Sequence, residues 1–93
     1  MVKGATKSGF EFEIDEKLME DQELLDLIVD SESEDDSIKV KATRKLYTFI
    51  LGDKGYERLK AHVREKNDGY CPVKEVTAEF LEIFNSVKEL KNS

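Results

Sequence analysis

Between residues 73 and 90, Val73, Val76, Phe80, Ile83, Phe84, Val87 and Leu90 recur at helical steps of three and four, with Ile83 and Phe84 adjacent. That spacing lines all seven side chains along one side of a helix, so the segment must bury a stripe against other elements. Pro72 stands just before it, where a missing N–H costs nothing in a first helical turn. Two shorter stripes are available to cover it. Ile38, Ala42, Leu46, Phe49 and Ile50 mark one helix, with Asp36 or Ser37 as its cap, and Tyr56, Leu59 and Val63 mark the next. Gly52 supplies a left-handed stop between them, and Asp53 caps the helix that follows. Asn67, Asp68 and Gly69 form a turn, because Gly accepts a positive φ and Asn and Asp tolerate one.

The front of the chain has a different period. Phe10, Phe12 and Ile14 alternate with Glu11, Glu13 and Asp15, the signature of a half-buried strand. One strand cannot satisfy its own backbone, and no second strand pattern is visible. It is therefore expected either to pack as an extended arm or to pair with a neighbouring copy or partner. Residues 1–8 mix Gly, Ser, Thr and Lys and read as a mobile N-terminal tail. A first helix is expected over about residues 16–30, capped by Asp15 or Asp21, with a possible break in the polar gap from Leu18 to Leu24. Residues 30–36 are acidic, rich in cap formers and read as a solvated loop. The expected architecture is mainly α: about four helices with a short N-terminal β-strand or extended arm, as a single helical domain over residues 9–93.

Charge narrows the function. The 93 residues carry a formal net charge of −6, spread unevenly. Residues 11–36 hold thirteen Asp and Glu against Lys17 alone, a balance of −12, while residues 37–93 hold twelve Lys and Arg against eight acids, a balance of +4. Surface charge supports solubility, and such asymmetry also suits head-to-tail docking of copies or a basic partner. The longest apolar runs are three residues, too short for a membrane span. The opening residues Met1, Val2, Lys3 and Gly4 lack the apolar core of a signal peptide. A single cysteine, Cys71, cannot staple its own chain, which fits a reducing cytoplasm.

No cluster of chemistry-bearing residues stands out. Aligned on Gly69, a calcium loop would have Asp68 and Glu75 at its fifth and twelfth positions, but Arg64 and Lys66 occupy the first and third, where the metal needs oxygens. The acidic loop fails as well, with Asp35 where Gly belongs and Lys41 where the bidentate Glu belongs. His62 and Cys71 are each alone in their type, short of a zinc ligand set. A Cys71–His62 nucleophile–base pair would have no third member. Neither an enzyme nor a cofactor is expected. Lys39, Lys41, Arg44 and Lys45, then Lys54, Arg58, Lys60, Arg64 and Lys66, give two neighbouring helices a basic character. Interleaved Asp53, Glu57 and Glu65 and the acidic front argue against nucleic-acid binding.

The order of elements carries a resemblance. A helix ending Phe49, Ile50, Leu51, Gly52 precedes a short helix with Tyr56, Leu59 and His62. The turn at 67–69, Pro72 and Val73 opening an amphipathic helix, and a terminal Leu90, Lys91, Asn92, Ser93 follow. With the Phe10–Ile14 strand and the Asp-rich helix behind it, residues 9–93 resemble the tail assembly chaperones of long-tailed bacteriophages of Gram-positive hosts. The resemblance implies a protein that coats the tape measure protein in the host cytoplasm. It would keep that client soluble, promote tail tube assembly around it, and be absent from the mature virion. It implies the short form of a pair whose longer member arises by ribosomal frameshifting and reaches the tail tube protein, and it carries no catalytic residues.

A holdase must offer apolar surface to its client. Small domains spend their aromatics inside, so the first expectation for the stripe is the domain's own core. The functional candidate is that part of Val76, Phe80, Ile83, Phe84, Val87 and Leu90 is open to a partner. Phe10, Phe12 and Ile14 are the candidate self-association strand. The rival functions are an acidic adaptor or inhibitor that mimics nucleic-acid charge and, further off, a small DNA-binding regulator.

Overall fold

A computed structural model of the chain describes the backbone of residues 1–92 and the side chains of residues 1–89. In order, it contains β1 (Val2–Ala5), β2 (Glu11–Ile14), a short 3-10 helix (Glu16–Glu20), α1 (Gln22–Ser31), α2 (Asp36–Lys66) and α3 (Val73–Asn92). The fold is mainly helical with a small N-terminal sheet. Three helices are counted where about four were expected, because the expected second and third follow each other without a loop as α2, divided only at Gly52.

The strand expected from Phe10, Phe12 and Ile14 is β2, and its partner lies within the chain. β1 and β2 pair antiparallel, with Val2 opposite Ile14, Lys3 opposite Glu13, Gly4 opposite Phe12 and Ala5 opposite Glu11. Residues 2–5, expected as part of a tail, are therefore a strand. The reversal at residues 6–9 is closed by Thr6 N–H to Phe10 O (2.9 Å), Gly9 N–H to Thr6 O (2.9 Å) and Phe10 N–H to the buried Thr6 Oγ1 (3.1 Å). Gly4 has a packing role: a Cβ there would lie 2.8 Å from Phe12 Cζ, so the Phe12 ring lies across the glycine.

Three aspartates set the helix starts. Asp15 accepts from Lys17 N–H (3.0 Å) at the 3-10 helix, and Asp21 accepts from Glu23 N–H (2.8 Å) at α1, so the first expected helix does divide in its polar gap. Asp35 accepts from Ser37 N–H (2.9 Å) and caps α2 one residue earlier than the sequence reading places it.

Gly52 breaks α2 with φ 77° and ψ 165°, a conformation essentially confined to glycine. The break is a sharp turn. A straight helix of 31 residues would be ~46 Å long, whereas the molecule's longest extent is 36 Å. Tyr47 and Tyr56 would project from opposite faces of a straight helix, ~13 Å apart along its axis, yet their ring centroids are 5.5 Å apart. The arms 36–51 and 53–66 thus fold toward each other. After α2, Asn67 Nδ2 donates to Val63 O (2.8 Å) and Gly69 N–H to Arg64 O (2.8 Å), with positive φ at Asp68 and Gly69. The Pro72 carbonyl accepts from Glu75 and Val76 N–H as α3 begins.

The core joins all these elements. Phe10, Phe12 and Ile14 of the hairpin, Leu24 and Leu27 of α1, and Leu46, Ile50, Leu59 and Val63 of α2 meet Val76, Phe80, Ile83 and Val87 of α3. Ile14, Leu59, Ile83 and Val87 are the most completely enclosed, and each such side chain contributes about 1.5–3 kcal/mol of burial.

Candidate functional site

The expected partner face of α3 is the inside of the molecule. Val76, Phe80, Ile83 and Val87 are buried, and Phe84 is half-buried with its ring centroid 6.1 Å from that of Phe80. The Leu90 side chain lies outside the described residues. The cause is plain: covering α3 consumes the stripes of both α2 arms and the hairpin, and of those four positions only Val76 reaches the edge of an open surface. The candidate self-association strand is also turned inward and already has one partner. Phe10, Phe12 and Ile14 are buried, and β1 supplies the pairing that a neighbouring copy was expected to give.

A different surface is open. The bend at Gly52 sets the two arms of α2 beside the start of α3, and between them runs a groove of about 630 Å³. Its apolar lining comes from Val40 and Tyr47 on the first arm, Tyr56 on the second, and Cys71, Val73 and Val76 at the entry to α3. Its charged lining is Lys39 and Arg44 from the first arm and Lys60 and Arg64 from the second; Thr43 and Thr77 complete it, and no acid contributes. Val40 and Val73 are 58% and 80% exposed, so two apolar side chains stand in solvent within a ring of cations.

The floor is rigid. Tyr47 is buried, its ring 4.6 Å from that of Phe80, and its hydroxyl lies 3.3 Å from Thr77 Oγ1. Lys60 Nζ sits 4.4 Å from the Tyr56 ring centroid and 2.8 Å from Glu57 Oε1. The hydrogen bond from Lys60, reinforced by its charge, holds the Glu57 carboxyl below its ordinary range. A second hollow, of about 420 Å³, adjoins the groove and shares Arg44, Tyr56 and Lys60 with it; Asp53 and Glu57 enter its lining. The arrangement can bind an apolar group that carries negative charge at its edges. Sequence reasoning treated these cations as a solvated face, because the angle at Gly52 that converges them has no local signature. The available signal was Tyr47 and Tyr56 on either side of the glycine.

His62, expected at the surface, is half-buried. Its Nε2 lies 2.9 Å from Ser8 Oγ in the hairpin turn, and Ser8 also donates to Glu79 Oε1 on α3. Ser8 has one proton, and giving it to Glu79 obliges the histidine to donate from Nε2. That polarity is the reverse of a base activating a serine. The cluster ties the hairpin turn to α2 and α3. Cys71 lines the groove while His62 lines a shallow hollow with Gly9, Phe10, Arg58 and Glu65, so the two do not share a site. Among the described residues, no three His, Cys, Asp or Glu side chains are grouped to hold a metal ion, and no helix is long and apolar enough to cross a membrane. No family model matches the chain, and neither a curated protein nor a solved structure does.

Proposed function

We propose that this chain holds another protein, as a tail assembly chaperone that binds the tape measure protein of a long-tailed phage and keeps it soluble in the host cytoplasm. It would promote tail tube assembly and leave the particle before maturity. The observation that supports this reading is the groove: an apolar lining with Val40 and Val73 open to solvent, rimmed by four cations. Greasy, partly acidic helix faces are the natural ligands of such a surface. The client face is therefore the groove between the α2 arms, which takes only Val73 and Val76 from the α3 stripe.

Co-expression with a tape measure protein tests the proposal. The client is expected in the soluble fraction with the wild-type chain and in the pellet with Val40→Glu/Val73→Glu, which places acids in the groove without touching the core. A client equally soluble with both chains, or insoluble with both, ends the reading. The acidic adaptor remains the rival, supported by the charge of residues 11–36. It would bind a basic partner through α1 and release it steeply with salt, whereas groove binding persists through its apolar part.

A further inference from the structure

We propose that the groove selects its occupant by charge: it takes helical segments whose apolar stripe is edged with Asp and Glu, and turns away the same stripe edged with Lys and Arg. Given the chaperone reading, on which this selection rests, the stretches of client that the chain covers are acidic ones. Counted from the Tyr47–Tyr56 contact beside the bend, the groove's cations stand at matching levels on the two arms. Arg44 lies three residues from Tyr47 and Lys60 four from Tyr56, ~4.5 and ~6 Å along their helices. Lys39 and Arg64 each lie eight residues from the tyrosine of their arm, at ~12 Å. Both walls are therefore positive at two levels ~6–8 Å apart, a little over one helical turn of ~5.4 Å.

The charge of these walls is not consumed within the chain. Only Lys60 has an ion-pair partner among the described residues, Glu57 at 2.8 Å; Lys39, Arg44 and Arg64 have none. No acid lines the groove, and the adjoining hollow adds Lys41 and Lys45 against Asp53 and Glu57. A concave surface of one sign concentrates its field and draws in the opposite charge, while like charge brought against it costs affinity and so discriminates. At about 630 Å³ the groove is smaller than two turns of helix, a body ~10–12 Å across and ~11 Å long, so it admits one face of a helix and not the whole. Apolar side chains on that face meet Val40 and Val73, and acids one turn apart on its edges meet the two levels of cations. A helix that is apolar all round gains nothing from the walls, and a basic-edged one is repelled by both. The valines supply affinity and the cations supply choice.

Two synthetic helical peptides with the same apolar stripe, one edged with Glu and one with Lys, test the selection on the purified chain. Fluorescence anisotropy is expected to give the Glu-edged peptide a Kd lower by about tenfold or more in low salt, with the preference shrinking toward ~0.5 M salt while binding persists. Arg44→Glu/Arg64→Glu is expected to reverse the preference, and Val40→Ser/Val73→Ser to weaken both peptides without reversing it. All four positions are exposed, and circular dichroism checks that both variants fold. Cys71 lines the groove and is the chain's only cysteine, so its reaction with N-ethylmaleimide is expected to slow when the Glu-edged peptide is bound. Equal affinity for the two peptides overturns the proposal, as do a preference that the folded Arg44→Glu/Arg64→Glu variant retains, unchanged affinity in the valine variant, and binding that leaves Cys71 equally reactive. A single-stranded RNA that displaces the Glu-edged peptide at equal concentration also overturns it, since the surface would then read charge without the stripe. Co-expression separates this result from the chaperone reading. A client kept soluble equally by the wild-type chain and by Arg44→Glu/Arg64→Glu overturns the selection by charge and leaves the holding of the client intact. A preference that reverses as expected, in a chain that never keeps the client soluble, supports the selection and counts against the chaperone reading alone.

Discussion

At the residue scale, Gly52 sets the angle between the groove's two arms, and Lys60 stands at its edge paired with Glu57. Gly52 holds a backbone conformation that costs an ordinary residue about 1–3 kcal/mol, and a Cβ there would meet nothing within 4 Å. Gly52→Ala is therefore expected to destabilise through backbone strain alone, lowering Tm by several degrees at ~4–8 °C per kcal/mol for a domain this size. Thermal unfolding followed by circular dichroism measures it. An unchanged Tm would show that the bend does not depend on glycine. The Glu57–Lys60 pair makes a prediction about pH. A carboxyl held lower in the fold than in the unfolded chain stabilises the fold at pH above the unfolded value, and loses that contribution as pH falls through the folded one. NMR titration of the Glu57 carboxyl is expected to report a value below that of an ordinary glutamate and a return toward it in Lys60→Met. Both residues are accessible, so the effect on overall stability is small.

At the element scale, α3 separates its positions by what they touch. Ile83 is fully enclosed, while Leu81 two residues earlier is 52% exposed. Ile83→Ala is expected to cost about 2–5 kcal/mol by cavity formation, and Leu81→Ala within ~0.5 kcal/mol; urea unfolding of the two variants gives the contrast. Comparable losses would mean that α3 is not packed as described. The α3 stripe was legible because its period is intrinsic to the helix, and so was β2, whose alternation needs no partner to be seen. β1 was not. Lys3, Gly4 and Ala5 offer no apolar alternation, and only the register with β2, where Gly4 makes room for Phe12, turns these residues into a strand. The groove was hidden for a related reason. Val40 looks like an isolated surface valine, Val73 like the first member of a buried stripe although it is 80% exposed, and Lys60 like one of many lysines, until the turn at Gly52 brings the two arms to the foot of α3.

At the scale of the whole molecule, the hairpin acts as a clasp and not as an appendage. Ser8 meets His62 of α2 and Glu79 of α3, Lys7 N–H donates to Glu82 Oε1 (2.7 Å), and Arg58 Nη2 donates to Glu11 O (2.9 Å). The turn between the strands thus grips the second arm of α2 and the middle of α3, which form two sides of the core and carry part of the groove. Side chains that bridge three elements couple their unfolding, because none can open without exposing the others' buried surface. The paired backbone amides of β1 and β2 are therefore expected to exchange hydrogen with protection approaching that of Leu59 and Ile83, not as a freely opening segment. Replacing Ser8 by Ala leaves His62 and Glu79 without their shared partner, and Glu79 Oε2 is already without one. The expected cost is about 1–3 kcal/mol, with faster exchange in the hairpin and in the facing turns of α2 and α3 together. If the hairpin amides of the wild-type chain exchange at the rate of unstructured peptide while the helices remain protected, the clasp is wrong and the helices hold the groove without it.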